Sequence, residues 1–393
     1  MKPQQKKNKV LFISNDASLT GAPVMLLHLL KFICENDLWE IHILLNRGGP
    51  LEGSFKSMGD TVTLKQESYT KEKNKLKKGV MKMRMTFKKL KISRSSTAYD
   101  FVFNNTIANG SLVRIFHKKN IPVISYIHEL ENVISYFNKN GQAQKTFLYS
   151  SLFIAPSNIV RENLLQNHQI PPGKICTLNY YFPGYETDLP EQDKKNLTAL
   201  FVKKYNIPEN KFLVFGMGTA DVRKGFDYFI EICAIVTKRE TSIHFVWLGN
   251  FTDTFFEKDM KNIIKDKSLE QKMTVTGKVP FDKNNLIPAN IFALTSREDP
   301  YPLVVLDAAF LQVPSIAFDG AGGAPEFIQN DAGWLIEGFS LTKFAEKIIH
   351  LKNNSAEIDM AGKNALQKAK LLHGNKSLTI NQLQAIEKKI KTL

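Results

Sequence analysis

Short apolar runs recur along the chain at intervals that leave room for a helix between them. In the first half these runs are KVLFIS, WEIHILLN, TVTL, FVFNNT, PVISYIHE, SLFIAPS and KICTLNYYF, with the helical segment VMLLHLLKFI after the first. Apolar strands separated by helices predict a parallel, doubly wound sheet. The polar stretch PGYETDLPEQDKKN, Pro183 to Asn196, reads as a linker. A second series then opens with KFLVFGMG and runs through HFVWLGN, KMTVTGKV, NIFALTS, PSIAF and GWLIE. From Leu341 onward the pattern is helical, and LTINQLQAIEKKIKTL has no strand after it. The expectation is an α/β protein of two Rossmann-like domains, residues 1–185 and 197–374, with facing strand ends that leave a deep cleft, and a last helix over 375–393.

The densest chemistry lies between Ser296 and Ile328. NIFALTS runs into an acidic, proline-rich turn and then the helical LVVLDAAFLQ; PSIAF, the flexible DGAGGA and a helix with Pro325 in its first turn repeat the same grammar. Both helix starts meet the carboxyl edge of a parallel sheet, where ligands bind. Asp299 precedes the first helix and Asp307 lies about two turns along it, so both suit sugar or ribose hydroxyls. An N-cap role for Asp299 and a solvated helix position for Asp307, with Leu306, Ala308 and Ala309 as neighbours that point to partial burial, are the plainer readings, and Glu298 is an equal candidate for the ligand contact. Gly322 and Gly323 bring backbone close to the same edge. Upstream, in GMGTADVRKGFDYF, Arg223 and Lys224 stand beside Gly225 at a helix start, a pairing of fixed charge and free amides that suits a diphosphate. In the first half, Gly21 and Ala22 of SLTGAPV open a helix after the first strand. His128 and Glu129, at the end of PVISYIHE, and Asn104, Asn105 and Thr106, after FVF, project at the edge of that domain. A lone histidine also suits a purely structural role. No GxGxxG is present, so dinucleotide binding has no support.

Charge changes the picture in one place. The net charge is +15, and between Lys65 and Arg94 twelve lysines and arginines face only Glu67 and Glu72. Leu76, Val80, Met83, Phe87 and Leu90 form one apolar stripe on that basic helix. It reads either as a solvated face over a buried stripe or as a surface for an anionic membrane or an acidic acceptor. Nucleic acid is disfavoured, because stacking aromatics are few. The apolar run Val10 to Ile13 is too short for an export signal, and no stretch approaches the roughly 20 apolar residues of a membrane span. A cytoplasmic protein, peripheral at most on the inner membrane face, is expected. Cys34, Cys176 and Cys233 lie far apart without ligand spacing, as small buried residues do in a reducing compartment.

TGAP, SYIHE, APSNIV, GTADVRKGFDYF, FVWLGN, VTGKV and the block from Ser296 to Ile328 come in the order and spacing of a known family. Over nearly its whole length the chain resembles glycosyltransferase family 4, retaining nucleotide-sugar transferases of GT-B fold. The resemblance implies that Arg223 and Lys224 bind the donor diphosphate and that Asp307 replaces the glutamate that holds the nucleotide ribose. It further implies that Asp299 or Glu298 contacts the donor sugar, that His128 lies beside it, and that Gly21 and Ala22 form the loop beneath the phosphates. Asn104, Asn105 and Glu129 fall on the acceptor side, and the last helix crosses back to the first domain. Two aspartates stand where the family usually has glutamates. Thr219 stands where it has an arginine, leaving Arg223 as the substitute, and the first loop has one glycine instead of two. The implied activity moves a hexose-type sugar to a carbohydrate or lipid-linked acceptor in cell-surface glycan synthesis, without cofactor or metal; the absence of any DxD agrees. A nucleotide-sugar epimerase, or a non-catalytic module for membrane or anionic glycan, are the alternatives.

Overall fold

The computed structural model describes residues 7–65, 99–182, 189–279 and 282–393. The chain divides into two compact units, Met1–Pro183 with Asn375–Leu393, and Gly184–Gly374.

The first unit holds β1 (Asn8–Ser14), β2 (Trp39–Arg47), β3 (Asp60–Lys65), β4 (Phe101–Asn104), β5 (Val123–Tyr126), β6 (Leu152–Ala155) and β7 (Ile175–Thr177) in one parallel sheet, ordered β3-β2-β1-β4-β5-β6-β7. Its helices are α1 (Gly21–Glu35), α2 (Glu52–Met58), α3 (Gly110–His117), α4 (Glu131–Asn138), α5 (Gln142–Tyr149) and α6 (Asn158–Gln166). Strands β4, β5 and β6 are buried along their whole length, as a sheet covered on both faces requires. The chain fills one side of β1 first and returns to the other side with β4, so the order reverses between these two strands.

The second unit repeats the plan. It contains α7 (Glu191–Lys204), β8 (Phe212–Met217), α8 (Phe226–Thr237), β9 (Ile243–Leu248), α9 (Thr254–Asp266), β10 (Met273–Val275), β11 (Ile291–Leu294) and α10 (Leu303–Phe310). Then follow β12 (Ser315–Phe318), α11 (Ala324–Ile328), β13 (Gly333–Ile336), α12 (Leu341–Lys352) and α13 (Ser355–His373). The sheet order is β10-β9-β8-β11-β12-β13, which reverses between β8 and β11. Trp247 anchors this core, its ring 5.0 Å from Phe226 and 5.1 Å from Phe229.

A final helix, α14 (Lys376–Lys391), belongs to the first unit. It buries Leu383, Ile386 and Ile390. Trp39 Nε1 donates to Glu387 Oε2 at 2.7 Å, and the Gln382 amide pairs with Asn179, accepting from its backbone N–H and donating to its Oδ1, both at 3.1 Å.

Four readings of the sequence need correction. The presumed linker is helical from Glu191: α7 buries only Phe201, so it lacks an apolar period and depends on acids in its first turn and lysines in its last. Helix α10 starts at Leu303 with Pro302 as its N-cap, because two nearby prolines hold the chain extended. Asp299 is therefore no N-cap, and Asp307 lies little more than one turn into the helix. Strand β5 ends at Tyr126, so His128 sits in the loop beyond it. Cys34 is exposed and Cys176 half-buried; only Cys233 is a buried thiol. The basic segment from 65 to 94 lies, apart from Lys65, outside the described residues. Among the described residues no helix is long and apolar enough to cross a membrane.

Candidate functional site

In the second unit the loops that leave β8 and β11 flank the reversal of strand order, the place where an open parallel sheet leaves a crevice at its carboxyl edge. The two loops are stitched together through backbone groups. Thr295 Oγ1 donates to Lys224 O at 3.2 Å, Arg297 N to Arg223 O at 2.8 Å, and Arg223 Nη1 to Glu298 O at 3.0 Å. Gly225 makes this approach possible. Its φ is +68°, and a Cβ there would lie 1.9 Å from Thr295 O. The loop after β12 joins on the other side: Asp299 N donates to Ala321 O at 3.2 Å and Gly323 N to Asp299 O at 2.8 Å. Gly322, at φ +95°, would put a Cβ 2.1 Å from Asp299 O.

This stitching brings together Arg223, Lys224, Glu298, Asp299, Gly322 and Gly323. The Lys224 ammonium forms an ion pair with Asp299 Oδ2, with the two side chains only 16% and 9% exposed. Asp221 Oδ1 holds the Lys224 backbone N–H at 2.7 Å. Thr219 is half-buried just after Gly218 in the same loop. Asp307 is buried within α10 between Leu306 and Ala308.

Arg297, unmarked by any local pattern, is a structural clamp. It holds Asp227 with two parallel bonds, Nη1 to Oδ1 at 2.8 Å and Nη2 to Oδ2 at 2.6 Å, and its guanidinium stacks 3.6 Å from the Tyr228 ring. That pair locks the loop after β11 onto the first turn of α8. Its partners lie 70 residues away in sequence, so no local pattern marks them.

The first unit repeats the arrangement around its own reversal between β1 and β4. Gly21 opens α1 behind Thr20. Asn105 Nδ2 donates to Ala22 O at 2.8 Å, which leaves Asn105 Oδ1 as the acceptor facing His128 Nε2 at 3.0 Å. The proton therefore sits on Nε2, and Tyr180 donates its hydroxyl to His128 Nδ1 at 2.7 Å. Tyr180 was missed in the sequence, where it reads as one more apolar residue of KICTLNYYF. Burial lowers the His128 pKa from 6.5 to about 3. Since the folded value lies below the unfolded one, the stability this residue contributes is full above pH 6.5 and declines as pH falls from 6.5 towards 3. The imidazole is expected to stay neutral between pH 5 and 8, so its Cε1–H resonance should not titrate there; a midpoint near 6.5 would refute the neutral assignment.

Glu129 and Asn104 face inward. The Glu129 carboxylate accepts from the Thr106 hydroxyl, from Ile107 N at 3.3 Å and from His128 N at 2.8 Å, and burial pushes its pKa up to about 7 against those donors. Asn104 Nδ2 donates to Thr106 O at 2.7 Å and Ser125 Oγ at 2.9 Å, while its Oδ1 accepts from Asn109 at 3.1 Å. Both side chains shape the 106–109 turn.

Residues 199–368, most of the second unit, match the family described as "Glycosyl transferases group 1". A poly(ribitol-phosphate) alpha-N-acetylglucosaminyltransferase of Staphylococcus aureus is 27% identical over 172 residues, 42% of this chain and 34% of that protein. A processive diacylglycerol alpha-glucosyltransferase of Acholeplasma laidlawii is 25% identical over 276 residues, 64% of this chain and 76% of that protein. The matched segments thus span about a third and three quarters of these relatives. Among solved structures, Anabaena HepE in complex with UDP and glucose superposes with a TM-score of 0.78 at 16% identity, over 98% of this chain and all of that one. The fold is GT-B, with two parallel-sheet α/β units.

Proposed function

We propose that the protein is a glycosyltransferase that moves a hexose-type sugar from a nucleotide diphosphate sugar to a carbohydrate or lipid-linked acceptor in cell-surface glycan synthesis, with retention of anomeric configuration. The observation that carries this reading is the Lys224–Asp299 pair, set beside Arg223 where the β8 and β11 loops are joined.

When the bond between the anomeric carbon and the diphosphate oxygen breaks, the electron pair leaves with the diphosphate. In this reading Lys224 and Arg223 neutralise the growing charge from fixed positions, the form of catalysis that costs no reorganisation at the moment of reaction. Asp299, given up by Lys224 as the phosphates arrive, is left to accept hydrogen bonds from sugar hydroxyls, with Glu298 beside it and the Gly322–Gly323 backbone close to the ligand. Asp307 is assigned to the ribose and Thr219 to the phosphate loop. In the first unit Gly21 and Ala22 are assigned to the loop beneath the phosphates, and the neutral His128, held at both ring nitrogens by Asn105 and Tyr180, is assigned to a fixed wall beside the sugar rather than to a proton shuttle. The two relatives named above act on poly(ribitol-phosphate) and on diacylglycerol, which supports a cell-surface polymer or a lipid as acceptor, and a lipid-linked acceptor goes with work at the inner membrane face.

Two side-chain cations supply the charge that a divalent metal would bring, so activity is expected to persist in excess EDTA; loss on chelation with recovery on added Mg²⁺ would overturn the metal-independent part. The decisive experiment is a thermal-shift screen of UDP-, GDP- and dTDP-sugars followed by product analysis with candidate acceptors. A shift and an α-linked product are expected. Conversion of the donor alone would instead indicate an epimerase, and no shift with any nucleotide sugar would sink the reading.

A further inference from the structure

At the carboxyl edge of the first sheet, on the β2–β3 side of its strand reversal, lies a pocket of about 520 Å³ that none of the roles above uses. That volume suits a small ligand. Its wall includes Asn15, Asn46, Arg47, Lys65, Asn109 and Tyr136.

Three features identify what it holds. Arg47 and Lys65 are register partners at the ends of neighbouring parallel strands, so two cations stand side by side. Asp16 takes Arg47 Nη2 at 3.3 Å, yet the Arg47 side chain stays 47% exposed. Asn109 lines the wall at 2% exposure, fixed there by its Nδ2, which donates to Asn104 Oδ1 at 3.1 Å. Tyr136 adds an aromatic face, 65% exposed, of the sort that packs against the C–H side of a polyol. Amides for hydroxyls, an aromatic wall and paired cations together describe a hydroxyl-rich anion.

We propose that this pocket binds the anionic part of the acceptor, a sugar or polyol that carries a phosphate or carboxylate. The proposal rests on the first unit serving the acceptor side. Asn109 links the pocket to the Asn104–Thr106–Glu129 turn, so occupancy of the pocket bears directly on the loop that carries Asn105.

The test is calorimetric titration of the full chain with glycerol 3-phosphate, ribitol 5-phosphate and gluconate, against glycerol, ribitol and inorganic phosphate. The phosphorylated polyols are expected to bind saturably and at least about tenfold more tightly than their neutral counterparts, as a charge-assisted contact to arginine would give. Comparable binding of gluconate would place the carboxylate in the same class; its failure would narrow the ligand to phosphate. Arg47→Gln should weaken binding about tenfold and Arg47→Lys should restore most of it, with unchanged melting temperatures as the check on folding. Equal affinity for charged and neutral polyols, affinity for inorganic phosphate equal to that for the polyol phosphates, or no response to Arg47→Gln would each overturn the proposal. None of these titrations needs a donor, so failure of the transferase reading would show separately, as absence of transfer from every nucleotide sugar.

Discussion

Lys224→Ala is expected to lower turnover by about 10²–10³-fold, the usual loss when one preorganised donor to a developing anion is removed. The Lys224 side chain is 16% exposed and already aimed, because Asp221 accepts from its backbone N–H and Asp299 pairs with its ammonium. The substitution also leaves the Asp299 carboxylate, 9% exposed, without its cation. Some loss of stability would follow from that alone, so Lys224→Ala combined with Asp299→Asn is the better control. The double variant should melt like the wild type and remain as inactive as the single one. Wild-type turnover in either variant would remove the diphosphate assignment, and with it the main support for a transferase.

Gly225→Ala tests the scaffold behind that pair. A left-handed backbone costs a non-glycine residue about 1–2 kcal/mol. The added Cβ would also sit 1.9 Å from Thr295 O, so the two loops must part or α8 must shift, an overpacking cost of about 1–3 kcal/mol more. Gly277 provides the comparison within the same unit: its φ is +69°, but nothing lies within 4 Å of its would-be Cβ, so Gly277→Ala should show only the smaller cost. Denaturant melts of both variants measure the difference. Equal destabilisation would mean that the contact between the β8 and β11 loops is not tight. If it is tight, Gly225→Ala should also slow transfer, because separating the loops pulls Lys224 away from Asp299.

The sheet strands were legible because they are short apolar runs, and the residues of both strand reversals were legible because they follow those runs directly. Lys224 and Asp299 were named from local context alone and meet in the structure. What stayed hidden was either long-range or polar. Tyr180 reaches His128 across 52 residues, and Arg297 reaches Asp227 across 70. Helix α7 looked like a tether because charge, rather than an apolar face, marks its ends. The inward orientation of Glu129 could not be read from its position after a strand, since the side chain turns back to serve the 106–109 turn.

The docking of α14 on the first unit has a consequence for the order of events during synthesis. Translation must complete all of the intervening unit, Gly184 to Gly374, before the helix that covers Trp39 exists. At 5–20 residues per second that is a delay of about 10–40 s. Throughout it the nascent first unit presents an uncovered greasy patch where Leu383, Ile386 and Ile390 will later land. A chaperone that shields such patches on ribosome-bound chains would find its target there, and a fragment ending at residue 183 would carry the same patch permanently.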